Sequence, residues 1–351
     1  MPTPSEQTRG GESEVRKDAP QRSVFGNYKL AETEGPGSEN AAFPLSPPLS
    51  STAIESSPLR DAATPPSPLT KGGEGRGEDG CEWKGAVRAP AWLNSAIGTA
   101  IARSFLHRFI AKAFEDAERE GWQSLCEAAQ QGSFWSAVCA LAEGAPPNFE
   151  SAAQKLSGHL KPDGYTAFES DYITCFGHTV RGDCPMNEIE YGDIKADPLF
   201  QPHRLADLGA FYAAFGLEIG EDAGERQDHI SIELEFMSVL AAKEAYALEH
   251  QFDDGQVTLV RDAQKKFLRE HLGRWTPAFT RRLSRIAGDG ALGALAGFTH
   301  EFITADCVRF IVTPGSEDLL LRPIDDSLET LCASCGITSL PPGAISAPVE
   351  T

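Results

Sequence analysis

The chain has 351 residues, of which 41% are hydrophobic, and a formal charge of -20 at neutral pH. That is enough apolar material for a core in one large domain or two ordinary ones. The acidic excess repels phosphate backbones and anionic lipid, which sets aside nucleic-acid and membrane-surface binding and favours a cationic partner.

The charge is unevenly spread. Residues 1–90 carry 10 Lys+Arg against 13 Asp+Glu, leaving 21 against 38 for the rest, so the folded part is the acidic part. The first twenty residues show no apolar stretch behind a basic patch, and no run approaches the roughly 18 apolar residues of a membrane span. A cytoplasmic protein without membrane insertion is the expectation. Eight cysteines, at 81, 126, 139, 175, 184, 307, 332 and 335, lack the density of a disulfide scaffold and are expected as reduced thiols.

Residues 1–90 are rich in Pro, Ser, Gly, Thr and Glu, as in FPLSPPLSS and TPPSPLT. Such a composition buries too little apolar surface to offset ordering entropy, so a long disordered N-terminal tail is expected. Gly75 to Gly80 fits G-x-G-x-x-G in letters only. No strand pattern precedes it and no helix pattern follows, so it is not a nucleotide loop.

From Trp92 onward Leu93, Ile97, Ile101, Phe105 and Phe109 recur at helical spacing. WQSLCEAAQQGSFWSAVCALAEG reads as a second helical stretch, stopped by Gly144 and Pro146-Pro147. A short, more polar segment runs from Phe149 to Leu160. LADLGAFYAAFGL puts Leu205, Leu208, Tyr212 and Phe215 on one face, with Gly216 placed to cap the end. Ile230, Leu234, Met237, Ala241, Ala245, Leu248 and Phe252 then step through one long helix, closed by Asp253-Asp254-Gly255.

In HLGRWTPAFTRRL, Thr276 is suited to cap and Pro277 to open a new helix, so the spacing predicts a bend there. A last helix carries Leu292, Leu295, Phe298 and Phe302 and stops before Pro314. No segment alternates at period two. The reading is an all-α single bundle domain over residues 91–320, with an irregular C-terminal tail over 321–351.

Two segments go beyond a generic bundle. One contains Tyr172, Phe176, Pro185, Glu188, Glu190 and Tyr191; the other runs from ADLGAFYAAFG to ERQDHISIELEFM, with Glu225, Asp228, His229, Glu233, Leu234, Glu235, Phe236 and Met237. Together they resemble the TorD/DmsD/NarJ family, over about 165–310 and, by helical pattern, from near residue 92. The loop commonly has Pro after the Glu in that family; Arg226 and Gln227 stand here. That leaves the loop's rigidity open, but not its position.

The resemblance implies a cytoplasmic, non-enzymatic, TorD-like chaperone. Such a protein binds the twin-arginine leader and the apo catalytic subunit of a molybdopterin oxidoreductase of the dimethyl-sulfoxide-reductase superfamily until cofactor insertion and export or assembly. No cofactor is expected for the chain itself; guanine nucleotide enters only through the resemblance, as does a choice between monomer and homodimer.

A twin-arginine leader needs carboxylates beside apolar surface. Asp228, Glu225, Glu188 and Glu190 are candidates for the first, and Tyr212 and Phe215, with Phe236 and Met237, for the second. Tyr191 and His229 complete the client-binding set. Asp228 could equally cap the helix that follows it. His229 could be an exposed first-turn residue or a pH-sensitive donor. Phe236 and Met237 could be core, and Glu233, Glu235 and Glu244 a solvated helix face.

The rival reading is a metal-binding or redox helical module. Cys175-x-x-His178 with Cys184, or Cys332 with Cys335, are its weak candidates, and neither makes a four-ligand motif. A hydrolase built on Glu225, Asp228 and His229 would lack any accompanying nucleophile elbow, P-loop or H-E-x-x-H.

Overall fold

The computed structural model describes residues 95–115, 117–177, 182–192, 200–220 and 224–322. The expected N-terminal tail, and nearly all of the expected C-terminal one, lie outside these residues. Among the described residues there are ten α-helices and no β-strand, as the sequence periodicity predicts. They are α1 (Ala96–Phe114), α2 (Arg119–Gln130), α3 (Ser133–Leu141), α4 (Phe149–His159), α5 (Tyr165–Phe176), α6 (Phe200–Ala214), α7 (Ile230–Glu249), α8 (Asp254–Glu270), α9 (Leu272–Ala287) and α10 (Ala291–Arg309). None of them is long and apolar enough to cross a membrane.

Local chemistry sets the boundaries. Ser95 caps α1 by accepting from Gly98 N, and Asp253 caps α8 by accepting from Gln256 N. The stretch read as one helix from Trp122 to Gly144 is two, because Gly132 takes a left-handed φ of 80° between α2 and α3. Gly216, at φ 71°, ends α6 as expected.

Helix α7 is buried along most of its length. It packs along α1 and against α8, while α9 packs along α10. The face expected to be solvated is not: Glu233, Glu235 and Glu244 are all buried. A helix covered on every side has no polar face left to spend on water, so each carboxylate meets a donor instead. Arg108 reaches Glu235 at 3.3 Å, while Arg103 and Arg261 reach Glu244 at 3.3 and 2.7 Å.

The Arg103 guanidinium also forks onto Asp306 at 2.6 and 2.9 Å, and His107 Nε2 lies 2.8 Å from the same carboxylate. This buried network ties α1 to α7 and α10. Burial opposes the charge on Asp306, but Arg103 and His107 outweigh it and hold the carboxyl well below its usual range.

No new helix opens at Pro277, which lies inside α9. The chain turns earlier, at His271, whose φ and ψ are -124° and -102°. A proline at this position cannot donate to the Gly273 carbonyl; Gly315 N donates to it instead, at 2.9 Å. Thr276 does not cap a helix. Its hydroxyl donates back to Leu272 O at 2.5 Å.

Candidate functional site

The first functional segment and the entry to α7 lie side by side. Glu188 N donates to Asp228 O and Ile230 N to Met186 O, both at 2.9 Å, and Asn187 and His229 form an antiparallel bridge. This pairing sets a 3-10 turn, Glu188–Glu190, against the N-terminus of α7. The chain after α10 closes the other edge, with Arg322 N donating to Glu190 O and Gly192 N to Leu320 O.

Glu188 is fully buried. Its Oε2 lies 2.9 Å from His271 Nδ1, and its Oε1 accepts from Arg274 at 3.0 Å with Arg204 at 3.6 Å. Burial alone would raise its pKa; the His271 hydrogen bond and the neighbouring His271, Arg274 and Arg204 reverse this and lower it. Arg274 is anchored a second time, on the Tyr191 carbonyl at 3.3 Å. Arg204 also donates to Glu270 O.

Glu233, one turn into α7, is shifted the other way. It is fully buried and accepts from Trp275 Nε1 at 3.1 Å on Oε2. Burial first, and then the charge of Glu188, push its pKa well above the carboxylate range. The two carboxyl groups influence one another, and their surroundings push their pKa values in opposite directions, Glu188 down and Glu233 up.

Asp228 is likewise fully buried. The Arg226 guanidinium forks onto it, Nε to Oδ1 at 2.5 Å and Nη2 to Oδ2 at 3.0 Å. Asn187 Nδ2 and Ile189 N donate to it as well, at 3.3 and 3.2 Å. It does not cap α7. That task falls to His229, which is the N-cap and not a first-turn residue, its Nδ1 accepting from Ser231 N at 3.3 Å.

His229 is buried, and its pKa is pushed down to about 3, first by burial and then by the nearby Arg226 charge. Its Nε2 stands 3.7 Å from the half-exposed Glu225 carboxylate. Glu190, also buried, lies 3.6 Å from Arg226.

The aromatic candidates are mostly interior. Tyr191 donates to Pro185 O at 2.8 Å and packs on Trp275; Tyr212 donates to Gln227 O at 2.8 Å and meets Phe236 edge-on. Phe236 and Met237 are core. Phe215 is partly buried and packs against Phe236. Beside Arg204, an open cleft of about 410 Å³ is lined by His203, Arg204, Ala206 and Asp207 of α6.

Residues 142–281 match the family model "Nitrate reductase delta subunit". The selenate reductase assembly chaperone protein of Thauera selenatis is 38% identical over 141 residues, covering 40% of this chain and 69% of the relative. The perchlorate reductase assembly chaperone protein of Dechloromonas aromatica is 30% identical over 157 residues, covering 44% and 67%. This chain belongs to the TorD/NarJ family.

A Vibrio cholerae "Chaperone protein TorD" is 29% identical over 119 residues, 34% of this chain and 52% of the relative. The chain thus spans about half the length of the TorD relatives it matches. No solved structure matches the chain. Within this TorD/NarJ member, the family-matched residues hold the whole cluster from Glu188 through Arg204, Asp228 and Glu233 to Trp275. The Arg103–Asp306 network draws on residues outside that match.

Sequence reasoning missed the basic half of the site: Arg204, Arg226, His271 and Arg274. HLGRWTP was available as a signal, since His271, Arg274 and Trp275 are polar-capable groups in a segment that must pack. The metal alternative fares differently in its parts. Cys332, Cys335 and His178 lie outside the described residues. Among the described residues no group of three or more His, Cys, Asp or Glu could hold a metal. Burial pushes the Cys175 and Cys184 thiols up to about 11 and about 12, so without a metal both are neutral thiols at ordinary pH.

Proposed function

We propose that this TorD/NarJ-family chain is a non-catalytic maturation chaperone acting in the cytoplasm. It binds the twin-arginine leader and the apo catalytic subunit of a molybdopterin oxidoreductase, and holds that subunit until cofactor insertion and export or assembly. The reading is supported by relatives named as assembly chaperones for selenate, perchlorate and chlorate reductases.

The observation that carries the arginine-binding part is the Arg226–Asp228 fork, with Glu190 alongside. A carboxylate that seats one guanidinium in bidentate geometry has the shape to seat another. Within the proposed contact set, Glu225 and Phe215 offer reachable surface, and Asp228 and Glu190 lie directly beneath Arg226. His229, Glu188, Tyr191 and Tyr212 hold that edge in shape from inside. The surplus of acidic residues over basic ones in residues 91–351 attracts a cationic leader from a distance.

Titration calorimetry of the full chain with a synthetic Arg-Arg leader peptide and its Lys-Lys variant tests this. Binding of the Arg-Arg peptide, at least tenfold weaker for Lys-Lys, is expected, because an ammonium cannot fork onto a carboxylate. Equal affinity for both peptides, or none for either, would contradict the proposal.

A further inference from the structure

Of the guanidinium groups around the site, Arg226 differs in how it is held. Arg274 is anchored on a carboxylate and on the Tyr191 carbonyl, and Arg204 on a carboxylate and on the Glu270 carbonyl. Arg226 instead forks onto Asp228, two residues along the chain, with a second carboxylate, Glu190, at 3.6 Å. Its side chain is 36% exposed, while the Asp228 side chain beneath it has no exposure.

Asp228 does not depend on Arg226 for its position. Asn187 Nδ2 and Ile189 N donate to its carboxylate, and its carbonyl accepts from Glu188 N. The carboxylate is therefore fixed by the fold and covered from the solvent side by a residue of its own loop.

We infer that Arg226 is an internal stand-in for a client arginine, and that a guanidinium-bearing leader takes the Asp228 carboxylate by displacing it. The inference rests on the leader-binding reading above and adds a built-in competitor to it. The displaced pair and the incoming pair are chemically alike, so the exchange itself contributes little affinity, and contacts elsewhere on the client must supply the rest. The Arg226–Asp228 pair is local in sequence, so it re-forms at small entropic cost when the client leaves. The device weakens and shortens binding, as suits a chaperone that must release its client.

The test is calorimetry of the full chain with the Arg-Arg leader peptide, using Arg226→Gln, Arg226→Gln/Asp228→Asn, and Arg285→Gln, with helix content checked by circular dichroism. Arg285 is exposed in the last turn of α9 and controls for the loss of one positive charge. Arg226→Gln is expected to bind at least tenfold more tightly than the native chain. The gain should vanish in the double variant, and Arg285→Gln should change affinity by less than about twofold.

Should Arg226→Gln lose helix content, Arg226→Lys, which keeps the charge but not the fork, should still show a gain of about threefold. Native binding that none of the Arg226 variants improves, or an equal gain from Arg285→Gln, overturns the inference and leaves the leader-binding reading standing. Absence of binding by the native chain and all variants overturns both.

Discussion

His271 Nδ1 lies 2.9 Å from Glu188 Oε2, and the side chains of both residues are wholly buried. One comes from the start of α9 and the other from the 3-10 turn beside α7, so the contact joins the two halves of the functional segment to the body of the bundle. Arg274 and Arg204 approach the other Glu188 oxygen from α9 and α6.

Removing the carboxylate therefore leaves several basic groups facing one another in a dry interior. Glu188→Ala is expected to lose about 3 kcal/mol or more of unfolding free energy, the scale for breaking a buried ion pair from one side. Glu188→Gln, which keeps an acceptor, should lose less. Urea unfolding followed by circular dichroism checks both; a loss below about 1 kcal/mol for the alanine variant would remove Glu188 as the organising residue.

His229 and Glu233 should tilt the pH dependence of stability in opposite senses. The unfolded chain protonates His229 below its ordinary 6.5, whereas the folded chain does so only near 3. The unfolded state thus binds more protons in between, and stability is lost as pH falls from 6.5 towards 3, on the order of a few kcal/mol. Glu233 is raised from 4.5, so the folded state holds the extra proton above 4.5 and stability is lost as pH rises from there. His229→Asn, which can still cap α7, should flatten the acid limb, and Glu233→Gln the alkaline one. Stability curves from about pH 4 to 9 for the three proteins decide this; an unchanged alkaline limb in Glu233→Gln would contradict the upward shift of Glu233.

Gly273 sits where the start of α9 passes the end of α8 and α10. A Cβ there would lie 2.8 Å from Cys307 Sγ and closer still to the Leu268 carbonyl oxygen. Gly273→Ala should cost about 2 kcal/mol through overpacking and displace His271 and Arg274. Gly297, in α10, has nothing within 4 Å of that position, so Gly297→Ala should be neutral or slightly stabilising. Thermal unfolding of the pair tests the difference, and equal melting temperatures would count against the packing described.

Several helices were legible because apolar residues recur at three and four along them, and Gly216 stands where a cap belongs; α8 was not, because Asp253-Asp254-Gly255 read as a turn closing α7, whereas α7 ends at Glu249 and Asp253 caps α8. Helix α7 shows where that signal stops. Its apolar stripe announces one buried face, but its carboxylates read as solvated because their partners, Arg103, Arg108, Arg261 and Trp275, lie far away in sequence or on other helices. The same holds at the site. The E-x-x-D-H spacing located Asp228 and His229, while the neutralising residues His271, Arg274 and Arg204 carry no pattern relative to it.

Pro277 misled for a related reason. A proline ends a helix when the carbonyl it orphans has no other donor, and the donor here, Gly315, comes from beyond α10. Arg226 was visible as a departure from the family's usual loop, but its place over Asp228 needed coordinates.

A chaperone of the proposed kind holds a reductase subunit before its cofactor is installed. Isolating the tagged full chain from its native cells, identifying the bound protein by mass spectrometry and measuring its molybdenum content tests this directly. The expected catch is a twin-arginine-bearing catalytic subunit of a molybdopterin oxidoreductase, bound without molybdenum and lost in Asp228→Asn. Recovery of that subunit only in its molybdenum-loaded form, or recovery of no such subunit, would contradict it.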